Sequence, residues 1–191
     1  ISSIPTAFIL VIKNPPAILL EYCGHNLAKS IKKLRRIDLI GVIYEIASAM
    51  KYVHKSNIIH RDLKPLNILL DQKKHVKICD FGISAVIDVE TQRRTQTRTH
   101  GIGTLVFMAP ELYDNNKPYN EKVDVYSFGI VMYYILSKGQ YPDISIKDVV
   151  NGKQIQIPNS INNFSTNLIK KCTKFNASDS PSFKEIVELI Q

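Results

Sequence analysis

Apolar positions along the chain alternate between two spacings. Ala7 to Ile12 and Ala17 to Tyr22 are short apolar runs separated by Lys-Asn-Pro-Pro, which predicts two strands joined by a turn. From Asp38 the pattern changes: Leu39, Val42, Ile43, Ile46, Met50 and Val53 follow three- and four-residue steps, predicting an amphipathic helix that ends near Lys55-Ser56-Asn57. Val123 to Leu136 is apolar on nearly every side, so it predicts a helix buried all round at the centre of a helical body. It carries Asp124 and Ser127 and stops short of the ~20 residues a bilayer span needs. The tail from Phe164 to Gln191 predicts further amphipathic helix, with Asp179-Ser180-Pro181 as cap and first turn ahead of Phe183, Ile186, Val187 and Ile190. No internal repeat or low-complexity tract interrupts this order.

Two stretches resist regular structure. Ile58 to Asn67 mixes charged residues and Pro65 with Ile58, Ile59 and Leu63, and Asp88 to Gly103 is polar, rich in Thr and Arg, and ends in Gly. Loops of this length and composition are more often functional than filler. Between them, Ile68-Leu-Leu70, the polar Asp71-Gln-Lys-Lys74 and His75-Val-Lys-Ile-Cys79 predict a hairpin. With its turn centred near residues 72 and 73, facing residues have numbers summing to about 146, which sets Asn67 opposite Cys79 and Asp80. Two oxygen ligands thereby arrive at one point.

Composition supports a globular chain: of 191 residues, 45% are hydrophobic and 22% charged, which excludes disorder and collagen. The length fits one domain or part of a larger one. Its first residues, Ile-Ser-Ser-Ile-Pro, lack an initiator Met and the layout of a signal peptide, so we expect natural sequence upstream. Cys23, Cys79 and Cys172 are odd in number and widely spaced, with no zinc spacing, which points to a reducing compartment, the cytoplasm. The net charge of +8 is concentrated in part in Lys29-Ser-Ile-Lys-Lys-Leu-Arg-Arg36. Such a run suits a nuclear-localisation or nucleic-acid patch, but Ile31 and Leu34 sit three apart, and a solvated helix face with those two turned inward is the favoured reading.

Asp62 and Lys64 are two apart in a segment that Pro65 biases towards extended backbone, so both side chains can share one side of the chain. A carboxylate, an ammonium and the Asn67/Asp80 oxygens then form one group. That grouping suits phosphoryl transfer: Mg²⁺ takes Asp and Asn oxygens plus phosphate, a carboxylate accepts a hydroxyl proton, and Lys neutralises charge on the moving group. For an isolated His-x-Asp, a polar loop satisfying itself with turns would be the better reading.

Here three motifs stand in order. His60-Arg61-Asp62-Leu63 with Asn67, then Asp80-Phe81-Gly82, then Ala109-Pro110-Glu111 resemble the catalytic loop, metal-binding triplet and activation-segment end of the eukaryotic protein kinase family. The resemblance covers essentially the whole chain and implies an α+β, protein-kinase-like fold. Residues 1–24 would be residual N-lobe strands and the hinge. Residues 25–191 would form the helical C-lobe, with the catalytic loop at 60–67 and the activation segment at 80–111. It implies that ATP and Mg²⁺ are used and that a protein is the substrate, with no nucleic acid and no membrane segment; oligomeric state is not legible. Asp62 would be the catalytic base and Lys64 the contact to the transferred phosphate. Asn67 and Asp80 would hold Mg²⁺. Leu69 would lie under the adenine, and the Glu21-Tyr22-Cys23 backbone would hydrogen-bond it. Asp124 resembles the family's buried helix aspartate that steadies the catalytic loop. Lys64-Pro65 and Gly103-Thr104 resemble serine/threonine kinases, which adds Thr104 to the catalytic set, and Gly103 to Glu111 resembles the tyrosine-kinase-like group. Thr91, Thr95, Thr97 and Thr99 lie among Arg93, Arg94 and Arg98; a phosphate there would add about −1.5 to −2 charges and could pair with Arg61. Cys79 reads as a small buried residue rather than a reactive thiol. Gly101-Ile-Gly103 follows no strand and opens no helix, so it is no phosphate loop.

Two departures bear on function. Nothing here supplies the family's Gly-rich loop, strand Lys or helix Glu, and Lys13, at a turn ahead of the hinge, does not replace that Lys. Residues 1–191 alone are therefore expected to bind nucleotide weakly and to transfer phosphate poorly or not at all. Where the family places an Arg to pair with the Glu of Ala-Pro-Glu, this chain has Ser180. Losing one partner of a buried pair costs about 3–5 kcal/mol, so Glu111 must be solvated, protonated or paired elsewhere. A pseudokinase or scaffold is the alternative to a catalytic kinase, and intact Asp62, Asn67 and Asp80 weigh against it.

Overall fold

The computed structural model describes residues 7–10, 17–81, 85–86, 105–114 and 116–191. The first two apolar runs form β1 (Ala7–Leu10) and β2 (Ala17–Leu20), antiparallel with Ala7 opposite Leu20. The second strand stops at Leu20 rather than Tyr22. Beyond it Tyr22 is 87% exposed, and Glu21 reaches a lysine on another strand.

A two-residue strand β3 (His25–Asn26) leads into the single-turn helix α1 (Leu27–Ser30), capped by the Asn26 side chain accepting the Lys29 N–H at 3.0 Å. A 3₁₀ turn, Ile31–Lys33, follows. Ile31 and Leu34 are buried and Lys32, Lys33, Arg35 and Arg36 exposed, as the solvated-face reading predicts.

Helix α2 (Arg36–Lys55) begins two residues before Asp38. From the third helical position the Asp38 carboxylate accepts the Arg35 N–H at 3.1 Å and the Arg35 guanidinium at 3.0 Å. Leu39, Val42, Ile43, Ile46, Met50 and Val53 are all buried, as their spacing demands.

Next come β4 (Ile58–Ile59), β5 (Ile68–Leu70), β6 (Val76–Ile78) and β7 (Ala85–Val86). The expected hairpin is β5–β6: Ile68 faces Ile78, Leu69 faces Lys77 and Leu70 faces Val76, each pair summing to 146. β3 extends it into a sheet of order β3-β5-β6, and β4 pairs with β7.

Helix α3 (Lys122–Leu136) is buried at every position from Val123 to Ile135 and is the centre of the helical body. Its Gly129 is required by the approach of α5 (Asn163–Cys172): a Cβ there would lie 2.7 Å from Thr173 Cγ2 and 2.9 Å from Cys172 Cβ. A short helix α4 (Ile146–Val150) lies between them in sequence. The helical tail comes in two pieces, α5 and α6 (Phe183–Ile190), separated by a 3₁₀ turn, Ala177–Asp179. The cap of α6 is Ser182 rather than Asp179-Ser180-Pro181: its hydroxyl takes the Glu185 N–H while the Glu185 carboxylate takes the Ser182 N–H at 2.7 Å. Phe183, Ile186 and Val187 then pack α6 on α2. Among the described residues no helix is long and apolar enough to cross a membrane.

Candidate active site

The loop from His60 to Asn67 is shaped from below by one buried carboxylate. Asp124, in the first turn of α3, is fully buried. Its Oδ2 accepts the His60 N–H at 2.8 Å and the His54 Nε2–H at 2.8 Å, and its Oδ1 accepts the Arg61 N–H at 2.8 Å. These bonds hold Arg61 at φ +68°, left-handed backbone that costs a non-glycine residue on the order of 1–2 kcal/mol. His54 is braced in turn by Phe183, ring centroids 4.9 Å apart, and Phe183 by Phe128 at 5.3 Å.

His60 fixes the loop from its other side. Its Nε2–H donates to the Cys79 carbonyl at 3.0 Å, and its Nδ1 accepts the Asp62 N–H at 3.2 Å, two contacts that select one tautomer. Its ring stands edge-on to Phe81, 4.8 Å between centroids. One imidazole thus joins Asp62 to the segment that carries Asp80.

Around Asp62 three of the four expected polar residues, Asp62, Lys64 and Asn67, come together. Lys64 Nζ lies 2.6 Å from Asp62 Oδ2, so both side chains do share one side of the chain. Asn67 Nδ2 donates to Asp62 Oδ2 and to the Asp62 carbonyl, each at 2.9 Å. Asn67 is also tied to the strand opposite: its carbonyl accepts the Cys79 N–H at 3.0 Å and the Cys79 thiol at 3.4 Å. Burial pushes that thiol up to about 11, with the neighbouring Asp80 adding to the effect. Cys79 is therefore a packed, hydrogen-bonded thiol.

Asp80 is exposed at φ +65°, one residue past the Asn67–Cys79 pairing. With the Asn67 side-chain nitrogen committed to Asp62, its Oδ1 is the atom that could hold a cation, and Asp80 offers a solvent-accessible carboxylate. Two hard oxygens suit Mg²⁺, which keeps waters and phosphate oxygens for its remaining positions.

Leu69 and Lys77 are cross-strand neighbours and share one face of the sheet. Lys77 is only 6% exposed and uses that face to reach Glu21, Nζ to Oε2 at 3.0 Å. Glu21, Leu69 and Lys77 thus surround one location, with Cys23 two residues on from Glu21. Burial raises the Cys23 thiol pKa, and the Glu21 charge adds to it.

Sequence reasoning missed three contributors. Lys77, His54 and Tyr119, whose hydroxyl accepts from Arg61 Nη1 at 3.0 Å, all act across long sequence separations. For Lys77 alone there was a signal: a lysine at a strand position facing Leu69. Thr104 lies outside the described residues, as do Gly82, Gly103, Thr91, Thr95, Thr97, Thr99, Arg93, Arg94 and Arg98.

The second departure resolves into a cavity of about 470 Å³ lined by Glu111, Lys117, Tyr119 and Phe175. Burial raises the Glu111 pKa, opposed by its own backbone N–H and by Lys117. Lys117 thus supplies countercharge, while Lys122 Nζ donates to the Ser180 carbonyl at 2.8 Å.

Comparison with known proteins identifies the family. The sequence pattern of the protein tyrosine and serine/threonine kinase family matches residues 4–190. The RGS domain-containing serine/threonine-protein kinase A of Dictyostelium discoideum is 35% identical over 91% of this chain and 16% of its own length. The mitogen-activated protein kinase kinase kinase dlk-1 of Caenorhabditis elegans is 34% identical over 88% of this chain and 19% of its own. The serine/threonine/tyrosine-protein kinase HT1 of Arabidopsis thaliana is 34% identical over 96% of this chain and 49% of its own. The chain spans at most about half the length of these relatives. Matched along nearly its whole length, the chain belongs to the protein tyrosine and serine/threonine kinase family.

Proposed function

We propose that this chain is catalytic-domain sequence of a serine/threonine protein kinase of the tyrosine-kinase-like group, which moves the γ-phosphate of ATP to a protein Ser or Thr hydroxyl. The observation that carries this reading is Asp62, held by Asn67 and Lys64 on a loop clamped to Asp124. In it the Asp62 carboxylate orients the substrate hydroxyl and accepts its proton, and Lys64, now paired with Asp62, turns to the transferred phosphoryl group. Asn67 and Asp80 would hold Mg²⁺, which supplies charge neutralisation on the phosphate oxygens when bound. Leu69 and the Glu21–Cys23 backbone take the adenine, with residues 1–24 as N-lobe strands and hinge and 25–191 as C-lobe. Thr104 completes the catalytic set, and residues 80–111 form the activation segment. The serine/threonine assignment is supported by Lys64-Pro65 and by the likeness to the Dictyostelium discoideum serine/threonine-protein kinase. Three free cysteines favour a reducing, cytoplasmic setting.

The test is transfer of labelled γ-phosphate by the full-length protein to a generic protein substrate, with phosphoamino-acid analysis. Phosphoserine or phosphothreonine should form, and Asp62→Asn should lower turnover by roughly 10²–10⁴-fold. Unchanged turnover in Asp62→Asn removes the site assignment, and phosphotyrosine alone removes the hydroxyl class.

A further inference from the structure

Much of the excess positive charge of this chain lies far from the Asp62 group in sequence and is used by none of its contacts. Lys29, Lys32, Lys33 and Arg36 are exposed along the edge formed by α1, the 3₁₀ turn and the start of α2. None of the four pairs with a carboxylate among the described residues. The carboxylate set among them, Asp38, is already taken twice: Arg35 Nη2 lies 3.0 Å from one oxygen and Lys74 Nζ 3.0 Å from the other. Lys74 brings the β5–β6 turn, with Lys73 and Asp71, against the same edge, and Lys138 reaches it from the end of α3, donating to the Leu34 carbonyl at 2.6 Å. The edge therefore carries a field of several uncompensated positive charges.

Apolar side chains sit within that field. Ile37, directly after Arg36, is 76% exposed, and Ile40, one helical turn on, is 48% exposed. Isolated exposed isoleucines need no explanation, but two on one helix face beside unpaired cations make a surface with both halves of an interfacial anchor. We propose that this edge docks on an anionic phospholipid surface, the cations meeting headgroups and Ile37 and Ile40 entering the acyl boundary. A nucleic acid would use the same cations. It would gain little from aliphatic side chains, since single strands are gripped by aromatic stacking and duplexes by polar contacts to phosphates and base edges. The proposal is independent of the phosphotransfer reading.

The test is co-sedimentation of the full-length protein with phosphatidylcholine vesicles, with and without phosphatidylserine, alongside titration with a homopolymeric RNA. Each basic residue at an anionic leaflet contributes roughly a five-fold factor in partitioning, so the triple variant Lys32→Gln, Lys33→Gln, Arg36→Gln should bind phosphatidylserine vesicles roughly 100-fold more weakly. Lys32→Arg with Lys33→Arg should bind as the parent does. Ile37→Ser with Ile40→Ser should lose about ten-fold or more while keeping salt sensitivity. All these positions are on the surface, and unchanged melting temperatures establish that the variants are folded. Binding without dependence on phosphatidylserine, no binding at all, equal binding by either loss variant, or tighter binding to RNA than to the vesicles overturns the proposal.

Discussion

Replacing Asp124 tests how the catalytic loop is held. The carboxylate accepts three hydrogen bonds at 2.8 Å with no exposure to water, two of them from the backbone N–H groups of His60 and Arg61. Hydrogen bonds to a charged partner are worth about 1.5–3 kcal/mol each, and a buried donor left without an acceptor costs about 1–3 kcal/mol. In Asp124→Ala, His54 retains access to water, its side chain being 12% exposed, whereas the two backbone donors lose their acceptor. The two stranded donors sum to about 2–6 kcal/mol, or roughly 4–24 °C in melting temperature for a domain of this size. Asp124→Asn keeps one acceptor oxygen but turns an N–H₂ towards N–H donors, and should cost about 2–3 kcal/mol. The same loss frees Arg61 from its left-handed conformation, so the loop relaxes and Asp62 moves. Because a 1 Å displacement of a catalytic group is worth about 10²-fold, kcat of Asp124→Asn should fall by about that factor with KM for ATP nearly unchanged. Urea unfolding and steady-state phosphotransfer of the full-length protein measure both. A variant within about 1 kcal/mol of the parent with unaltered kcat would refute the reasoning.

Three further outcomes follow from the same geometry. Lys77→Met takes the lysine from Glu21, whose side chain is 34% exposed, so the loss lies between the surface and buried limits, at about 1–2 kcal/mol; KM for ATP should rise several-fold with kcat little changed, and an unchanged KM would separate the pair from nucleotide binding. Glu111 has a raised pKa, so the folded state favours its protonated form: its stability contribution is present below the ordinary value of 4.5 and is lost as pH rises through the folded-state value. Glu111→Gln should therefore melt higher than the parent at neutral pH, the gap closing below about pH 4.5, and destabilisation at neutral pH would mean that Lys117 more than offsets burial. Ser182→Ala removes the cap that starts α6 and should cost about 1 kcal/mol in urea unfolding, whereas a cost near zero would mean that the Phe183 packing alone fixes the helix start.

Which parts of this fold can be read from sequence depends on how far apart the interacting residues lie. The β5–β6 register was legible because a two-residue turn centre dictates facing pairs, and it alone brings Asn67 to Cys79. The burial of α3 was legible because no side of Val123–Leu136 is polar enough to face water, and that same burial is what obliges Asp124 to find three donors. α2 starts two residues ahead of the apolar pattern because Arg36 and Ile37 face solvent and leave no periodic mark, and Asp38, at the third helical position, takes the Arg35 N–H from inside the helix. The cap of α6 lies one residue beyond the Asp179-Ser180-Pro181 signal, because Ser182 stands three residues ahead of Glu185 and completes a capping box with it. Contacts such as His54 with Asp124, 70 residues apart, and Lys77 with Glu21, 56 apart, leave no periodic trace. They arise from the packing of α2 on α3 and of the hairpin on the segment after β2. The motif residues lie within a short stretch and announce their chemistry, while the groups that hold them in position are distributed over the whole helical body. The strain recorded at Arg61 is thus sustained by residues that no local pattern marks.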